Sequence, residues 1–231
     1  IRDEKPDYLA VVFDTSAPTF RHEKYPDYKA TREKMPDELR EQLPVIRTIV
    51  EAFSIPIIEK EGYEADDVIG TIAKKAEAGD MDVMMVTGDK DFMQLVTDRV
   101  KMYSLKRTEG ETEITDPGHV REKIGLPPEK VIDYLGLMGD SSDNVPGVPG
   151  VGPKTAIKEV KEHGDLWGAL DARGDHIPNA DRIRDLFLDP PVTDDYAVDV
   201  DLDPDLDAAR RFVVDEWEVD KSEVETGFSR I

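Results

Sequence analysis

The stretch EGYEADDVIG, residues 61–70, places three carboxylates, Glu64, Asp66 and Asp67, within four positions and follows them at once with apolar residues. One acid there would serve the first turn of a helix, meeting its unpaired N–H groups and positive dipole end. Three adjacent carboxylates repel one another and raise each other's pKa unless a cation neutralises them, so the cluster points to a metal. Asp14 ends VVFD, Asp89 and Asp91 sit in TGDKD after an apolar run, and Asp140 and Asp143 share MGDSSDN. Gly and Ser in that last segment permit a tight turn that aims both side chains the same way. Any one of these acids alone reads as a cap or turn residue. Eight of them in four segments read as a hard-cation site, because carboxylate oxygens with retained waters suit Mg²⁺ or Mn²⁺. Two clusters fit a two-metal mechanism, one ion activating water and the other stabilising the leaving oxygen of a phosphodiester.

The elements that must position these acids are legible as short apolar runs. YLAVVF (8–13), IPIIE (55–59) and MDVMMVTG (81–88) read as strands, with a helix from Glu64 to about Gly79 between the second and third. Near-continuous apolar strands belong to a parallel sheet covered on both faces, so the fold class is α/β. In open parallel sheets ligands bind beyond the carboxyl ends of the strands, which puts Asp14, Glu64, Asp66, Asp67, Asp89 and Asp91 on one edge. Helical periodicity also covers 37–53, 117–124 and 128–138, while VKMYSL and ETEIT read as edge strands around the turn KRTEGE. Beyond Gly139 the strand signal vanishes, and 139–188 reads as a second lobe of short helices and Gly/Pro loops.

Two further segments carry chemistry. In GVPGVGPKTA (147–156), Gly147, Gly150 and Gly152 allow a hairpin whose backbone N–H groups face outward. The helix starting near Pro153 adds its positive end, and Lys154 and Thr155 reinforce a phosphate site. The Walker spacing is absent. Between Asp14 and Met35 a polar, basic and aromatic run supplies Arg21, Lys24, Lys29 and Arg32 for phosphates and Phe20, Tyr25 and Tyr28 for stacking, or else is a solvated loop. DVDLDPDLD (199–207) imitates a calcium loop, but Pro204 stands where an EF-hand needs Gly and no Glu follows at loop position 12, so it reads as an acidic linker.

Composition narrows the class. The chain has 231 residues, no cysteine and four scattered histidines, which excludes disulfides and thiolate zinc sites and leaves oxygen as the metal donor. No apolar run approaches a membrane span and the start resembles no signal peptide, so a soluble, cytoplasmic chain is expected. A formal charge of −22 argues against nucleic acid. Its distribution weakens that objection: residues 1–50 carry nine Lys/Arg against ten Asp/Glu, whereas 185–231 carry four against fifteen. An acidic surface of this kind fits a halophilic host, where salt screens repulsion to about 3 Å near 1 M. Activity and stability that fail to rise with KCl would remove that expectation.

Taken together, VVFD, TFRHEKYPDYKATR, YEADDVIG, TGDKDFMQLV and LMGDSSDNVPGVPGVGPKTA closely resemble the 5′-nuclease (5′-3′ exonuclease) domain at the N-terminus of bacterial DNA polymerase I, in the flap endonuclease superfamily. The resemblance runs from about residue 5 to 158. It implies a PIN-like parallel sheet flanked by helices over 1–138, with a helical arch at about 15–36, then a helix-hairpin-helix lobe over 139–188 and an acidic extension over 189–231. It implies metal ligation by Asp14, Glu64, Asp66, Asp67, Asp89, Asp91, Asp140 and Asp143, and arch roles for Lys29 and Arg32 at the 5′ strand and scissile phosphate. It also implies duplex binding by the hairpin, with a K⁺ ion there. The implied activity is structure-specific removal of 5′ flaps and RNA primers, or cutting at nicks, by divalent-metal-dependent hydrolysis in DNA replication and repair. The chain starts after a family strand and a VDGS-like motif with a further ligand Asp, so the alternative is a cleavage-incompetent, DNA-junction-binding fragment. From about residue 160, KEHGDLWGAL, DLFLDPPVTDDY and FVVDEWEVDKSEVETGFSRI resemble the C-terminal part of archaeal flap endonucleases, which makes the chain a mosaic. Sliding-clamp binding is not supported, and a monomer is expected.

Overall fold

The computed structural model describes residues 4–105, 112–174, 206–216 and 220–228. The turn KRTEGE and the whole stretch 175–205, which includes most of DVDLDPDLD, therefore lie outside the described residues. The chain divides into two compact units, one formed by 1–15, 33–60 and 194–231, the other by 16–32 and 61–193.

In the first unit, β1 (Val11–Val12) and β2 (Ile57–Ile58) pair in parallel, Val11 opposite Ile57 and Val12 opposite Ile58. The ladder continues by one bond, the Phe13 N–H donating to the Ile58 carbonyl at 3.0 Å. The regular pairing is thus shorter than the apolar runs at 8–13 and 55–59. Between the two strands runs α2 (Asp37–Ala52), opened by Asp37 and Glu38 where acids complement the dipole. Arg47 on this helix meets Glu59 just past β2.

The second unit begins with α1 (Phe20–Lys24) and α3 (Ala65–Ala78), then a sheet of β3 (Val83–Val86), β4 (Val100–Leu105) and β5 (Thr112–Thr115). β3 and β4 are parallel; β4 and β5 are antiparallel. The helix α3 connects β2 to β3, yet the two strands belong to different sheets, β2 pairing with β1 and β3 with β4. Met85 is buried while Met84 and Val86 are exposed, the alternation of a strand covered on one face. Below the sheet, Ala73 of α3, Phe92, Met93, Val96, Val100, Met102 and Val120 form one core.

A second core holds the helical part. α5 (Val131–Met138), α6 (Pro153–His163) and α7 (Leu166–Arg173) close around Leu137, Val148, Ala156, Val160, Leu166 and Ala169. Sequence punctuation explains the boundaries. Asp116 caps α4 (Pro117–Ile124) by accepting from the His119 N–H at 2.9 Å, and Gly125 ends it in the left-handed region at φ 82°. The segment 128–138 is a single 3₁₀ turn, Pro128–Lys130, running into α5. No strand occurs beyond Gly139 among the described residues; Asp140 and Val145 form an isolated antiparallel bridge.

Candidate active site

Helix α3 begins with the acids of EGYEADDVIG. Glu64 is its N-cap, and a capping box joins it to Asp67, whose Oδ2 accepts the Glu64 N–H at 2.9 Å. The next turn is exposed at Asp66 and buried at Asp67. The Asp67 carboxylate is thus tied to the backbone at the start of its own helix.

Asp89 and Asp91 follow β3. Asp89 caps the 3₁₀ turn Lys90–Leu95, its side chain accepting from the Asp91 N–H at 3.0 Å. The Asp91 Oδ1 atom is buried and has no hydrogen-bond partner. Burial, followed by the charges of Asp89 and Asp140, pushes the Asp91 carboxyl up to about 7. Asp140 and Asp143 sit in the turn after α5. Burial disfavours the Asp140 charge, but hydrogen bonds from Ser142 and Lys90 outweigh that and hold its carboxyl below the usual range. Lys90 Nζ is 3.1 Å from Asp140 Oδ2.

Residues 16–32 bring basic groups to these acids. Arg21 forms a fork on Asp67, with both guanidinium N–H groups 2.6 Å from its two oxygens. The pair is buried, Arg21 at 5% and Asp67 at 7% exposure. Burial opposes the Arg21 charge, but the hydrogen bond and charge of Asp67 overcome it and raise the pKa. Removing one partner of such a pair would strand the other charge at a cost of about 3–5 kcal/mol. Lys29 Nζ reaches Glu64 Oε1 at 2.6 Å, and Arg32 reaches Asp143 Oδ1 at 2.6 Å. The Tyr28 hydroxyl lies 2.9 Å from both Glu64 Oε2 and Asp143 Oδ2, so its one proton serves one carboxylate at a time. Burial, then those two charges, raises the Tyr28 pKa. Lys29 holds φ at 56°, a strained conformation secured by its N–H donating to the Asp143 carbonyl at 3.0 Å.

Glu64, Asp66, Asp67, Asp89, Asp91, Asp140 and Asp143 line one cleft of about 140 Å³, which Arg21, Lys29 and Arg32 also line. Asp14 follows β1 in the first unit, outside this set. Among the described residues no three acidic or histidine side chains converge on a single point fit for an ion. Arg21, Lys29, Arg32 and Lys90 instead each pair with one of these carboxylates, Asp67, Glu64, Asp143 and Asp140 in that order. The donor set nevertheless fits a hard cation. Asp91 Oδ1 is an orphaned buried oxygen in a field that resists its ionisation, the condition a divalent ion relieves.

The placement of the DNA-directed residues is mixed. Lys24 is exposed, with its Nζ 5.7 Å from the Phe20 ring centre. Arg21 and Tyr28 face the acids instead of solvent, and Tyr28 at 3% exposure offers no ring face to a base. In the glycine segment Gly150 takes φ 77° and Gly152 is the N-cap of α6, with no side-chain cap on the helix. Lys154 and Thr155 occupy the first turn of α6, Lys154 exposed. Gly147 has an internal reason to be glycine: a Cβ there would sit 2.2 Å from the Met138 carbonyl carbon. Sequence reasoning missed Lys90 and Asn144. Lys90 had its signal, a cation between two acids in TGDKD. Asn144 had none: its side chain donates to the Asp27 carbonyl at 2.7 Å while its own carbonyl accepts from the Tyr25 hydroxyl at 3.0 Å.

Residues 1–125 match the family model described as 5'-3' exonuclease, N-terminal resolvase-like domain, and residues 126–186 match 5'-3' exonuclease, C-terminal SAM fold. DNA polymerase I of Bacillus subtilis is 51% identical over 172 residues, covering 74% of this chain and 20% of that protein. DNA polymerase I of Rhizobium leguminosarum is 52% identical over 161 residues, covering 70% and 16%. The chain thus spans about a fifth of the length of the curated relatives it matches. Among solved structures, the T5 D15 protein co-crystallised with metal ions aligns with TM-score 0.63 at 23% identity, covering 96% of this chain and 87% of that one. Flap endonuclease-1 from Methanococcus jannaschii aligns with TM-score 0.62 at 22% identity, covering 96% and 74%. These likenesses show the same fold.

Proposed function

Since the chain belongs to the 5'-3' exonuclease family, we propose that it hydrolyses DNA phosphodiesters as a divalent-metal-dependent, structure-specific 5′ nuclease acting on flaps, nicks or RNA primers. The observation that carries this reading is the cleft in which acids from α3, the end of β3 and the turn after α5 face Lys29 and Arg32. Glu64, Asp66, Asp89, Asp91, Asp140 and Asp143 would hold the ions, two of Mg²⁺ or Mn²⁺; a ligand role for Asp14 rests on the family resemblance alone. When bound, those ions supply the Lewis acidity that polarises a phosphodiester and acidifies water.

The protein groups do the rest. Lys29 and Arg32, which pair with Glu64 and Asp143 here, are long enough that they would turn toward a phosphate and stabilise the charge it develops. Arg32 presents a planar fork, which suits two phosphate oxygens at once, and its half-exposed guanidinium is already at the mouth. Gly150, Gly152, Lys154 and Thr155, with a K⁺ ion, would hold the duplex by its backbone through the uncapped start of α6. Gly147 allows the turn that presents them. The domain reading follows the same division, a nuclease core to 138 with the arch at 15–36, a duplex-holding lobe over 139–188, and an acidic extension after it. Among the described residues no helix is long and apolar enough to cross a membrane; a monomer working in the cytoplasm is part of the proposal.

A second reading, junction binding without cleavage, is favoured by one observation: Glu64, Asp67 and Asp143 are each already neutralised by a basic side chain. Cleavage of a 5′-labelled double-flap DNA with MgCl₂ or with EDTA, across a KCl series, separates the two. Mg²⁺-dependent release of the flap supports the nuclease; binding without release supports the second reading.

A further inference from the structure

Asp67 differs from the other acids of the cleft in how completely its oxygens are used. Oδ1 accepts from one Arg21 N–H at 2.6 Å, and Oδ2 accepts from a second Arg21 N–H at 2.6 Å and from the Glu64 backbone N–H at 2.9 Å. Three of a carboxylate's roughly four acceptor positions are therefore taken, all from buried donors of this chain. Its neighbour Asp66, one position earlier on the same turn, is exposed. Two acids adjacent on a helix point about 100° apart, so they need not share a task.

The other end of the bond explains what Asp67 holds. Arg21 lies in α1, near the start of the segment 16–32, and its guanidinium is also 4.6 Å from the centre of the Phe20 ring, which packs on Tyr63. The later contacts of the segment, Tyr28 and Lys29 to Glu64 and Arg32 to Asp143, fall on acids that have a second duty in metal binding. Ions that took over Glu64 and Asp143 would loosen those contacts. The Arg21–Asp67 fork is the attachment that can persist. We infer that Asp67 is a positioning residue, not a metal ligand: its carboxylate pins Arg21 to the start of α3 and so keeps Lys29 and Arg32 over the cleft while the neighbouring acids change partners.

The inference rests on the nuclease reading for what Lys29 and Arg32 do, but the pin itself is tested without metal or DNA. In the metal-free full chain, trypsin should cut after Lys24, Lys29 and Arg32 roughly tenfold faster or more in Asp67→Asn and in Arg21→Gln, while Asp66→Asn leaves the rate unchanged. Arg21→Gln leaves the α3 cap intact, so it reports the pin even where Asp67→Asn disturbs the helix. Unchanged protection in both variants overturns the pin. Bound Mn²⁺ counted by electron paramagnetic resonance should be the same in Asp67→Asn as in the parent. In single-turnover cleavage the variant should lose rate with no change in the Mg²⁺ concentration for half-maximal activity. A lost Mn²⁺ ion, or a raised Mg²⁺ requirement, makes Asp67 a ligand and overturns the assignment. If the parent chain neither binds Mn²⁺ nor cuts, the nuclease reading falls, and trypsin still decides whether Arg21 and Asp67 form the pin.

Discussion

Where residues 16–32 meet the cleft, Glu64, Asp67 and Asp143 are each met by a basic side chain at 2.6 Å, whereas beyond β3 Asp91 keeps a buried oxygen with no partner and a carboxyl pushed up to about 7. Both sides use the same residue types in one pocket. The compensated side holds the residues of 16–32 in place; the uncompensated side stores electrostatic cost that a divalent ion removes. Under the proposed nuclease reading this division lets cations of the protein and cations from solution compete for only part of the same carboxylate set.

The largest expected break comes beyond β3. Asp89→Asn with Asp91→Asn should lower single-turnover cleavage on the order of 10³-fold or more, several kcal/mol of lost stabilisation, while gel-shift affinity for flap DNA stays within about threefold. Within residues 16–32, Lys29→Ala should cost about 10²-fold in the same assay, the scale of one lost donor to developing charge. Binding should respond less. A Cβ at Gly152 meets nothing within 4 Å, so Gly152→Val should fold normally yet weaken duplex binding roughly tenfold, which fluorescence anisotropy measures.

The smallest effect sharpens the comparison by pH. The folded pKa of Asp91, about 7, is above the unfolded value near 3.9. The folded chain therefore binds this proton more tightly, and the associated stability is full below about pH 4 and lost as pH rises through about 7. Asp91→Asn should raise the Tm of the metal-free chain by a few degrees at about pH 8, a gain that disappears near pH 4 in calorimetry. A gain that persists at pH 4 would locate the cause in packing instead of charge.

Much of this contrast was within reach of the sequence, because caps and turns are local. Glu64 before ADDVIG, Asp89 after VTG and the glycines around GVPGVG each announce an element boundary within a few residues of where it lies. Pairing across distance was not. Arg21 and Tyr28 sit in an irregular run with no period of 2 or 3.6, so nothing in their spacing tells a buried partner of an acid from a solvent-facing contact to DNA. The two sheets were illegible for the same reason: β2 and β3 are consecutive in sequence, but the ladder partner of each lies elsewhere. The acids and the basic residues were both visible, while the pairing of Arg21, Lys29 and Arg32 with Asp67, Glu64 and Asp143 was not.

The Tyr28 and Arg32 contacts to Asp143 span 115 and 111 residues of chain. Contacts of such sequence separation are closed late and slowly in folding, since the entropy of a long loop must be surrendered before they return any energy. The helical hydrogen bonds at the start of α3 can form within a single turn, and the two cores draw on nearer neighbours. A partly refolded chain should therefore carry its acids and its capped helix before residue 28 meets residue 143, an order that pulse-labelled hydrogen exchange would read.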